Sequence, residues 1–410
     1  MDSKGKWRST SLSSAYDVQN KRASTLGYFG ATIVFGLISA ALGPTLPNLA
    51  ENVRTNLSQI SLIFTAMATG YLLGALISGR LFDRLPGNRL MGAIVFCLAG
   101  VVFFIPVINL FWLLIAVFGV VGLMLGGLEV GGNTLLVWVH GLKVGPYMNA
   151  LHFFFGVGAI TAPIIVARMA LESGDIRGVY WLLALIALPV GVWLARLQGP
   201  RAASAAGTSQ ISPGDYYLVF MVALLLLLYV GAEVSFGGWI YMYTVTQFGK
   251  SMAGTATMLT AAFWAALTVG RLISIPLAVR IKPSTVLVGD LVGCLISIGL
   301  IALWPESLTA TWVGTIGLGF SMAAFFPTTV TFAGQRMEIN GKVSGWFFVG
   351  AGVGGMILPW VIGQLFATVG QSVTITLIFI DLLVALGVLS LLLAIPDQAT
   401  RQIASVSEGD

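Results

Sequence analysis

Charged residues are scarce in this chain of 410 residues. Only 9% of its residues are charged and 57% are hydrophobic, whereas about a quarter of the residues of a soluble protein are charged. Such a chain cannot bury its apolar surface in water, which excludes a soluble globular protein. The 21 Lys and Arg residues are scattered between apolar runs. They form no basic face, so we expect no nucleic-acid partner.

Cysteine and histidine are nearly absent as well. The two cysteines, Cys97 and Cys294, lie inside apolar runs, where we expect small buried hydrophobic side chains and no disulfide framework. Two histidines, no Cys pair at ligand spacing and no appended soluble domain argue against a membrane enzyme or receptor. We therefore expect neither enzymatic activity nor a cofactor or metal.

Long apolar runs are what the sequence has in abundance. A membrane-spanning helix needs about 20 largely apolar residues, and such runs follow one another over residues 24–396. They predict an all-α membrane protein with twelve spans. These are 24–47, 58–80, 89–108, 110–138, 145–171, 178–198, 215–247, 252–281, 284–305, 309–335, 340–369 and 372–396.

Polar segments divide these spans into domains. Residues 199–214 are small and polar and predict a flexible linker, which separates a bundle of six helices at 24–198 from a second at 215–396. Polar tails are expected at 1–23 and 397–410. The first tail has no short apolar stretch ending in a cleavage site, so the first span is expected to be retained.

The basic residues indicate an orientation. With the amino terminus placed inside, sixteen Lys and Arg residues fall on the inner side and four on the outer side. Cytoplasmic loops retain positive charge, so we predict that both termini and the linker are cytoplasmic. The expected protein is a monomer that crosses the inner (plasma) membrane many times.

Short matches between the halves recur at nearly one offset. The pairs are SGRL at 78–81 with VGRL at 269–272, GVVGL from Gly119 with GTIGL from Gly314, and Gly156, Gly158 and Pro163 with Gly352, Gly354 and Pro359. The offsets are 191, 195 and 196 residues. Parallel internal repeats of this kind are typical of duplicated transporter folds. The pattern predicts two pseudo-symmetric six-helix bundles.

The segment GRLFDRLPGNR at 79–89 resembles the signature between the second and third helices of the major facilitator superfamily. The resemblance implies a major facilitator fold, with this loop as a conformational latch. Gly79 would permit close helix packing, Asp83 would pair with a basic group or a helix end, and Arg84 and Arg89 would hold the loop in the cytoplasm. Ordinary orientation-setting charge is the alternative.

Four further segments carry a narrower resemblance. They are LGPTLPNLA at 42–50, GGLEVGGNT at 126–134, GPYMNALHFFFGVGA at 145–159 and YVGAEVSFGGWI at 229–240. They are similar to the fucose permease branch, and most to its sodium-dependent glucose transporter type. Gly43 stands where fucose permeases carry an Asp late in the first helix. The resemblance implies secondary transport of a sugar, coupled to a proton or sodium.

Acidic residues inside spans are the first candidates for a site. One central acid costs roughly 2.5–3.5 kcal/mol on insertion scales. Glu129 lies among glycines that leave room for a ligand or a partner helix, with Asn133 one turn on. The resemblance implies a role for Glu129 in coupling and sugar binding, and a buried structural hydrogen bond is the alternative. Glu233 with Trp239 suits sugar binding by a carboxylate and an aromatic face, and a satisfied interhelical pair is its alternative.

Other intramembrane polar residues complete the candidate set. Asn149 and His152 share one face of the fifth span, and Trp264 and Gln335 are weaker candidates for the cavity. Arg271 repeats Arg80 at the other half and is expected to reach the cytoplasmic surface as part of the latch. For Asp290 and Asp381 we expect structural pairing or an interfacial position.

Two functions remain open at this point. One is cation-coupled symport of a neutral hydroxylated solute, such as a hexose, by alternating access around the midplane. The alternative is a proton-coupled efflux antiporter for lipophilic compounds, because its cation binding would also use intramembrane acids.

Overall fold

A computed structural model describes residues 9–170, 174–199, 215–278, 280–337, 339 and 341–395. In this part of the chain twelve helices are long and apolar enough to cross a membrane. They are α1 (Asn20–Asn52), α2 (Leu57–Arg84), α3 (Gly87–Val107), α4 (Phe111–His140), α5 (Gly145–Met169), α6 (Arg177–Arg196), α7 (Tyr216–Phe248), α8 (Lys250–Leu277), α9 (Pro283–Leu303), α10 (Leu308–Gly334), α11 (Val343–Val369) and α12 (Ser372–Leu393). The predicted linker, apart from residue 199, and the predicted tail at 397–410 lie outside the described residues.

The prediction of an all-α protein with twelve spans is confirmed, but several predicted ends are wrong. The helix that contains α1 runs from Ser9 to Asn52, so the polar segment before residue 24 is helical from Ser9. It also continues through Pro44 and Pro47. A proline inside a membrane helix is tolerated because neighbouring groups satisfy the carbonyl that it leaves free.

The segment predicted as a loop at 79–89 is mostly helical. The helix of α2 continues to Arg84, and α3 begins at Gly87, which leaves only Leu85 and Pro86 between them. Leu85 is extended, as expected of a residue that precedes proline. The turn is therefore much shorter than the charge pattern indicates.

Two of the spans are interrupted. α2 is interrupted at Ser61, between Leu57–Ile60 and Leu62–Arg84. α10 consists of Leu308–Met322 and Phe325–Gly334. Pro327 accounts for the second break, because it has no N–H for the carbonyl of Ala323 and its ring crowds that carbonyl.

The same helix pairs pack in both halves. In the first half α1 packs on α5, α2 on α4 and α3 on α6, and in the second half α7 packs on α11, α8 on α10 and α9 on α12. Each pair in one half is the counterpart of a pair in the other. The halves meet where α1 contacts α7, α2 contacts α11 and α5 contacts α8. The two pseudo-symmetric bundles are confirmed.

Glycine allows the closest of these contacts. A Cβ added at Gly126 of α4 would lie 2.1 Å from the carbonyl oxygen of Tyr71 in α2, and one added at Gly354 of α11 would lie 1.8 Å from the carbonyl oxygen of Leu227 in α7. Such distances exclude any side chain. Small residues let membrane helices approach in this way, so the glycine beside Glu129 makes room for a partner helix.

The cysteines differ from each other. Cys294 is buried as expected, whereas Cys97 is exposed on the surface of α3. The prediction for Cys97 is wrong because the lipid-facing side of a span is as apolar as its buried side, so composition alone does not separate the two.

Candidate functional site

A cavity of about 800 Å³ lies between the two halves. Its walls come from α1, α2, α4 and α5 on one side and from α7 to α11 on the other. We call the end of the bundle where α6 ends and α7 begins the linker face, and the opposite end the far face. The cavity reaches the linker face at Leu277, Pro283 and Ser344 and ends at Phe64 and Gly238. The molecule is therefore open toward the linker face.

Contacts between the halves close the far face. Ser58 Oγ donates to Gln364 Oε1 at 2.7 Å, and Gln364 Nε2 donates to the Ser58 carbonyl at 2.8 Å and to Ser61 Oγ at 3.2 Å. Nearby, a Cβ added at Gly43 would lie 2.9 Å from the Gly238 carbonyl oxygen. An aspartate at position 43 would not fit between α1 and α7. The close approach of α1 and α7 at Gly43 is therefore compatible with the glycine of this chain and not with the Asp of the fucose permease pattern.

Glu129 of α4 faces the cavity and is held by its own helix. The amide Nδ2 of Asn133, one turn later, donates to Glu129 Oε1 at 3.0 Å and also lies 2.8 Å from the Glu129 backbone carbonyl. Tyr71 of α2 lines the same part of the cavity. The carboxylate therefore has a neutral local donor and an open side toward the cavity.

Glu233 of α7 has a different partner. Its Oε1 lies 3.9 Å from Nη2 of Arg271 in α8, and the two side chains are 13% and 23% exposed. Both residues line the cavity. At this distance the pair is an ion pair with no close hydrogen bond, so the two charges offset each other while both side chains stay accessible to a solute.

Arg271 therefore lines the cavity and faces Glu233, not the cytoplasmic surface as expected, and its part in the latch stays a prediction. It also acts electrostatically on Glu129 and His152. The sequence contains a signal for this position, because Trp264, Thr268 and Arg271 are spaced four and three residues apart and so share one face of α8. The positively charged side chain of Arg271 thus lies near titratable groups of both halves.

Three other predicted residues also line the cavity: Asn149, His152 and Trp264. The Trp264 ring packs edge-on against Phe155 of α5, with ring centroids 5.9 Å apart. Asn149 is exposed near the linker face. Within the described residues no group of three or more His, Cys, Asp or Glu side chains is placed to hold a metal ion.

Trp239 and Gln335 are not in the cavity wall. Trp239 is fully buried, its Nε1 donates to the Pro359 carbonyl at 3.1 Å, and its ring stacks on Phe366 at 5.2 Å. Six residues separate it from Glu233, which places it about 120° away around an ideal helix. Gln335 lies exposed after the end of α10 at Gly334. The structure therefore leaves both residues out of the candidate site.

The residues of the predicted latch lie together at the linker face. Asp83, Arg84 and Arg89 are exposed, and Asp83 forms no ion pair or hydrogen bond with the rest of the described chain. A Cβ added at Gly79 would meet nothing within 4 Å. The predicted close packing at Gly79 is therefore wrong, because this end of α2 borders open space.

Asp290 and Asp381 do not form the structural pairs that we expect from the sequence. One carboxylate oxygen of each is buried and has no hydrogen-bond partner in the described structure. Asp290 lines the cavity from α9. Its spacing from Pro283 and Val286 places all three on one helix face, and Pro283 and Val286 also line the cavity. That spacing is the sequence signal for a residue that we did not place in the site.

Fold and site together define a multi-pass membrane protein with two repeated six-helix halves around a central polar cavity. The sequence model of the Major Facilitator Superfamily matches residues 28–359 of this chain. The chain therefore belongs to that family and is a transporter. Its substrate is accordingly a small molecule.

Curated relatives narrow the resemblance. The chain is 32% identical over 379 residues to sodium-dependent glucose transporter 1A of Mus musculus, which covers 82% of this chain and 88% of the relative. It is 31% identical over 358 residues to sodium-dependent glucose transporter 1 of Xenopus laevis, with 80% and 72% covered. These relatives belong to the branch that the four sequence segments resemble, which confirms that resemblance.

Solved structures share the fold. A mutant of the nucleoside transporter NupG superposes with a TM-score of 0.74 at 14% identity, over 92% of this chain and 99% of that chain. A bacterial homologue of the human lysosomal transporter Spinster, in an inward-facing and occupied conformation, gives a TM-score of 0.71 at 15% identity, over 92% and 96%. At these identities the likeness concerns the fold alone.

Proposed function

We propose that this protein is a cation-coupled symporter of a neutral, hydroxyl-rich solute such as a hexose. The observation that carries the proposal is the convergence of Glu129 and Glu233, one from each half, on a single cavity. Rocking of two repeats around a midplane site is the general mechanism of alternating access in such folds. The names of the curated relatives support both the sugar and the cation.

The side chains of the cavity suit a sugar. Glu233, Arg271 and Asn149 offer acceptors and donors to hydroxyl groups, and Trp264 with Phe155 offers aromatic surface for the C–H face of a ring. The ion pair of Glu233 and Arg271 carries no net charge. A neutral solute can therefore hydrogen-bond to Glu233 and to Arg271 in place of their 3.9 Å contact, and it needs no charge of its own.

Glu129 is suited to carry the coupling cation or proton. Its donor, Asn133, is neutral, so the hydrogen bond does not offset the charge of an ionised carboxylate, and a cation or proton would do so in the low-dielectric interior. A transporter needs a residue that gains and loses this positive charge on alternate sides. We assign that role to Glu129, with Asn133 and His152 beside it in the cavity.

Orientation follows from the charge count. The linker face carries most of the basic residues and would be cytoplasmic, so both termini would lie in the cytoplasm, at an inner (plasma) membrane. In this orientation the cavity opens inward, and the contacts of Gln364 with α2 close the outer side. A monomer suffices for the mechanism, because each chain holds both halves of the site.

One observation favours the second candidate, proton-coupled efflux of lipophilic compounds. Phenylalanines line much of the cavity: Phe35, Phe64, Phe153, Phe155, Phe320, Phe326, Phe347 and Phe348. Apolar walls of this kind also suit a lipophilic solute.

Uptake into proteoliposomes separates the two functions. We expect radiolabelled glucose to accumulate above equilibrium when a sodium or proton gradient is imposed, and to equilibrate only when neither is present. Gradient-independent equilibration under all conditions would contradict coupling. No glucose entry, together with proton-driven movement of a lipophilic dye, would favour the antiporter.

A further inference from the structure

α9 and α10 pack antiparallel in one continuous register. Distances from an added Cβ atom show this register. A Cβ added at Gly293 would lie 2.4 Å from Ser321 Oγ, one at Gly317 would lie 2.6 Å from Ser297 Oγ, and one at Gly314 would lie 2.5 Å from Ile301 Cγ1. Along such a pair, one step forward on α9 matches one step backward on α10. The register therefore places Asp290 at the level of Ala324, and both residues line the cavity.

Ala324 lies in the interruption of α10. The helix ends at Met322 and resumes at Phe325. Pro327 has no N–H to give to the Ala323 carbonyl, and no other donor in the described residues bonds to it. The Met322 carbonyl, by contrast, accepts a hydrogen bond from the Tyr229 hydroxyl at 2.8 Å. One backbone oxygen is thus left free at the level of a carboxylate.

Asp290 is itself without a partner. One of its carboxylate oxygens is buried and accepts no hydrogen bond, and it forms no ion pair with any described residue. The basic group on the preceding helix of the chain, Arg271 of α8, pairs with Glu233. Cys294, one turn along α9, is buried and has no positive charge to offer Asp290. A buried carboxylate in this position needs a positive charge from elsewhere.

We propose that Asp290 and the interruption of α10 form a binding site for one monovalent cation, sodium. A single carboxylate matches a single positive charge, whereas a divalent ion would call for more acidic ligands. Carbonyl oxygens of interrupted helices are the ligands that coordinate sodium in other secondary transporters. The Thr328 hydroxyl, one turn below Ala324 and also in the cavity wall, supplies a further oxygen, and the cavity supplies the route of entry.

This site rests on the proposed function and deepens it, because it names sodium as the ion and gives it a second binding site. Asp290 lies 161 positions after Glu129 in the chain, in the other half. Glu129 stays the acid next to the solute. The sodium at Asp290 lies between α9 and α10, where its binding would draw the two helices of the second half together. Sodium would therefore bind in the absence of sugar.

Equilibrium binding of ²²Na⁺ to the purified full-length protein, without sugar, tests this site. We expect saturable binding that weakens at least tenfold in Asp290→Asn. Pro327→Ala keeps the carboxylate but returns an N–H to the Ala323 carbonyl, so it should weaken binding as well. Asp381→Asn is the matched control, an intramembrane acid with a buried, unpartnered oxygen away from the interruption, and it should bind ²²Na⁺ like the unchanged protein.

The results separate this site from the proposed function. Unchanged binding in Asp290→Asn, absence of saturable binding in the unchanged protein, or equal loss in Asp381→Asn would each overturn the site. Loss of binding in Glu129→Gln with none in Asp290→Asn would move it to the first half. Sodium binding lost only in Asp290→Asn and Pro327→Ala, with no sugar uptake by the unchanged protein, would support the site while contradicting sugar symport.

Discussion

The two halves of the cavity hold their acids in different ways. In the first half, Glu129 accepts a hydrogen bond from Asn133 on its own helix. In the second half, Glu233 faces Arg271 on a neighbouring helix. A neutral donor leaves a negative charge to be offset by something that comes and goes, whereas a fixed cation already offsets it. The first arrangement suits ion exchange, and the second suits binding of a neutral solute.

The repeat makes this difference instructive. Arg271 and Arg80 occupy equivalent positions of the two halves, yet Arg80 is exposed on α2 and Arg271 lies in the cavity. The preceding glycines differ in the same sense: Gly270 packs on Ala323 of α10, whereas Gly79 borders open space. Duplication therefore conserves the helix pairs of the fold and leaves the polar residues free to diverge.

The largest effect that sharpens the comparison should come from Arg271→Gln. Removing one partner of a buried ion pair costs about 3–5 kcal/mol. Because both side chains are partly exposed in the cavity, we expect about 1–3 kcal/mol here, with sugar affinity falling about tenfold. The double variant Arg271→Gln with Glu233→Gln should regain thermal stability but not affinity. Equal thermal stability of Arg271→Gln and the unchanged protein would show that the ion pair does not stabilise the fold.

A smaller effect is expected in the first half, from Asn133→Ala. Hydrogen bonds to charged groups contribute about 1.5–3 kcal/mol, and the open cavity lets water replace part of this one. We expect the cation concentration for half-maximal uptake to change about fivefold, equivalent to about 1 kcal/mol, while sugar affinity stays within twofold. A change in sugar affinity alone would break the proposed division between the halves.

The smallest effect is expected at Asp83, which lies in the last helical turn of α2 at the linker face and whose repeat equivalent in α8 is Ser274. Asp83 is exposed and does not line the cavity, so Asp83→Asn should bias the inward and outward states without touching the solute. Initial uptake rates should fall about two- to threefold, equivalent to roughly 0.5 kcal/mol, with an unchanged KM. Weakened sugar binding at unchanged turnover would contradict this role.

Much of the fold could be predicted from the sequence, because spans in a membrane must be long, apolar and helical to satisfy their backbone. Helix ends were harder. Charge marks where a span leaves the bilayer, not where its helix ends, so the helices at Ser9 and Arg84 run into polar sequence. The two prolines of α1 look like breaks in the sequence, but they lie within one continuous helix.

The candidate site was predicted less well. Glu129, Glu233 and His152 do line the cavity. Residue type placed Trp239 there too, although its position on α7 turns it toward Phe366. Asp290 was missed although Pro283, Val286 and Asp290 share one face of α9 in the sequence, because the sequence alone does not show that this face of α9 lines the cavity.

The division between the two acids is tested most directly in one set of liposomes, by gradient-driven uptake beside counterflow of the same radiolabelled hexose. Glu129→Gln keeps the shape and hydrogen bonding of the side chain and removes its charge. The account predicts that Glu129→Gln loses gradient-driven accumulation but keeps part of its counterflow. In Glu233→Gln, accumulation and counterflow should both decrease, in proportion to the loss of sugar affinity. If Glu129→Gln still concentrates the hexose against its gradient, the coupling role of Glu129 is contradicted.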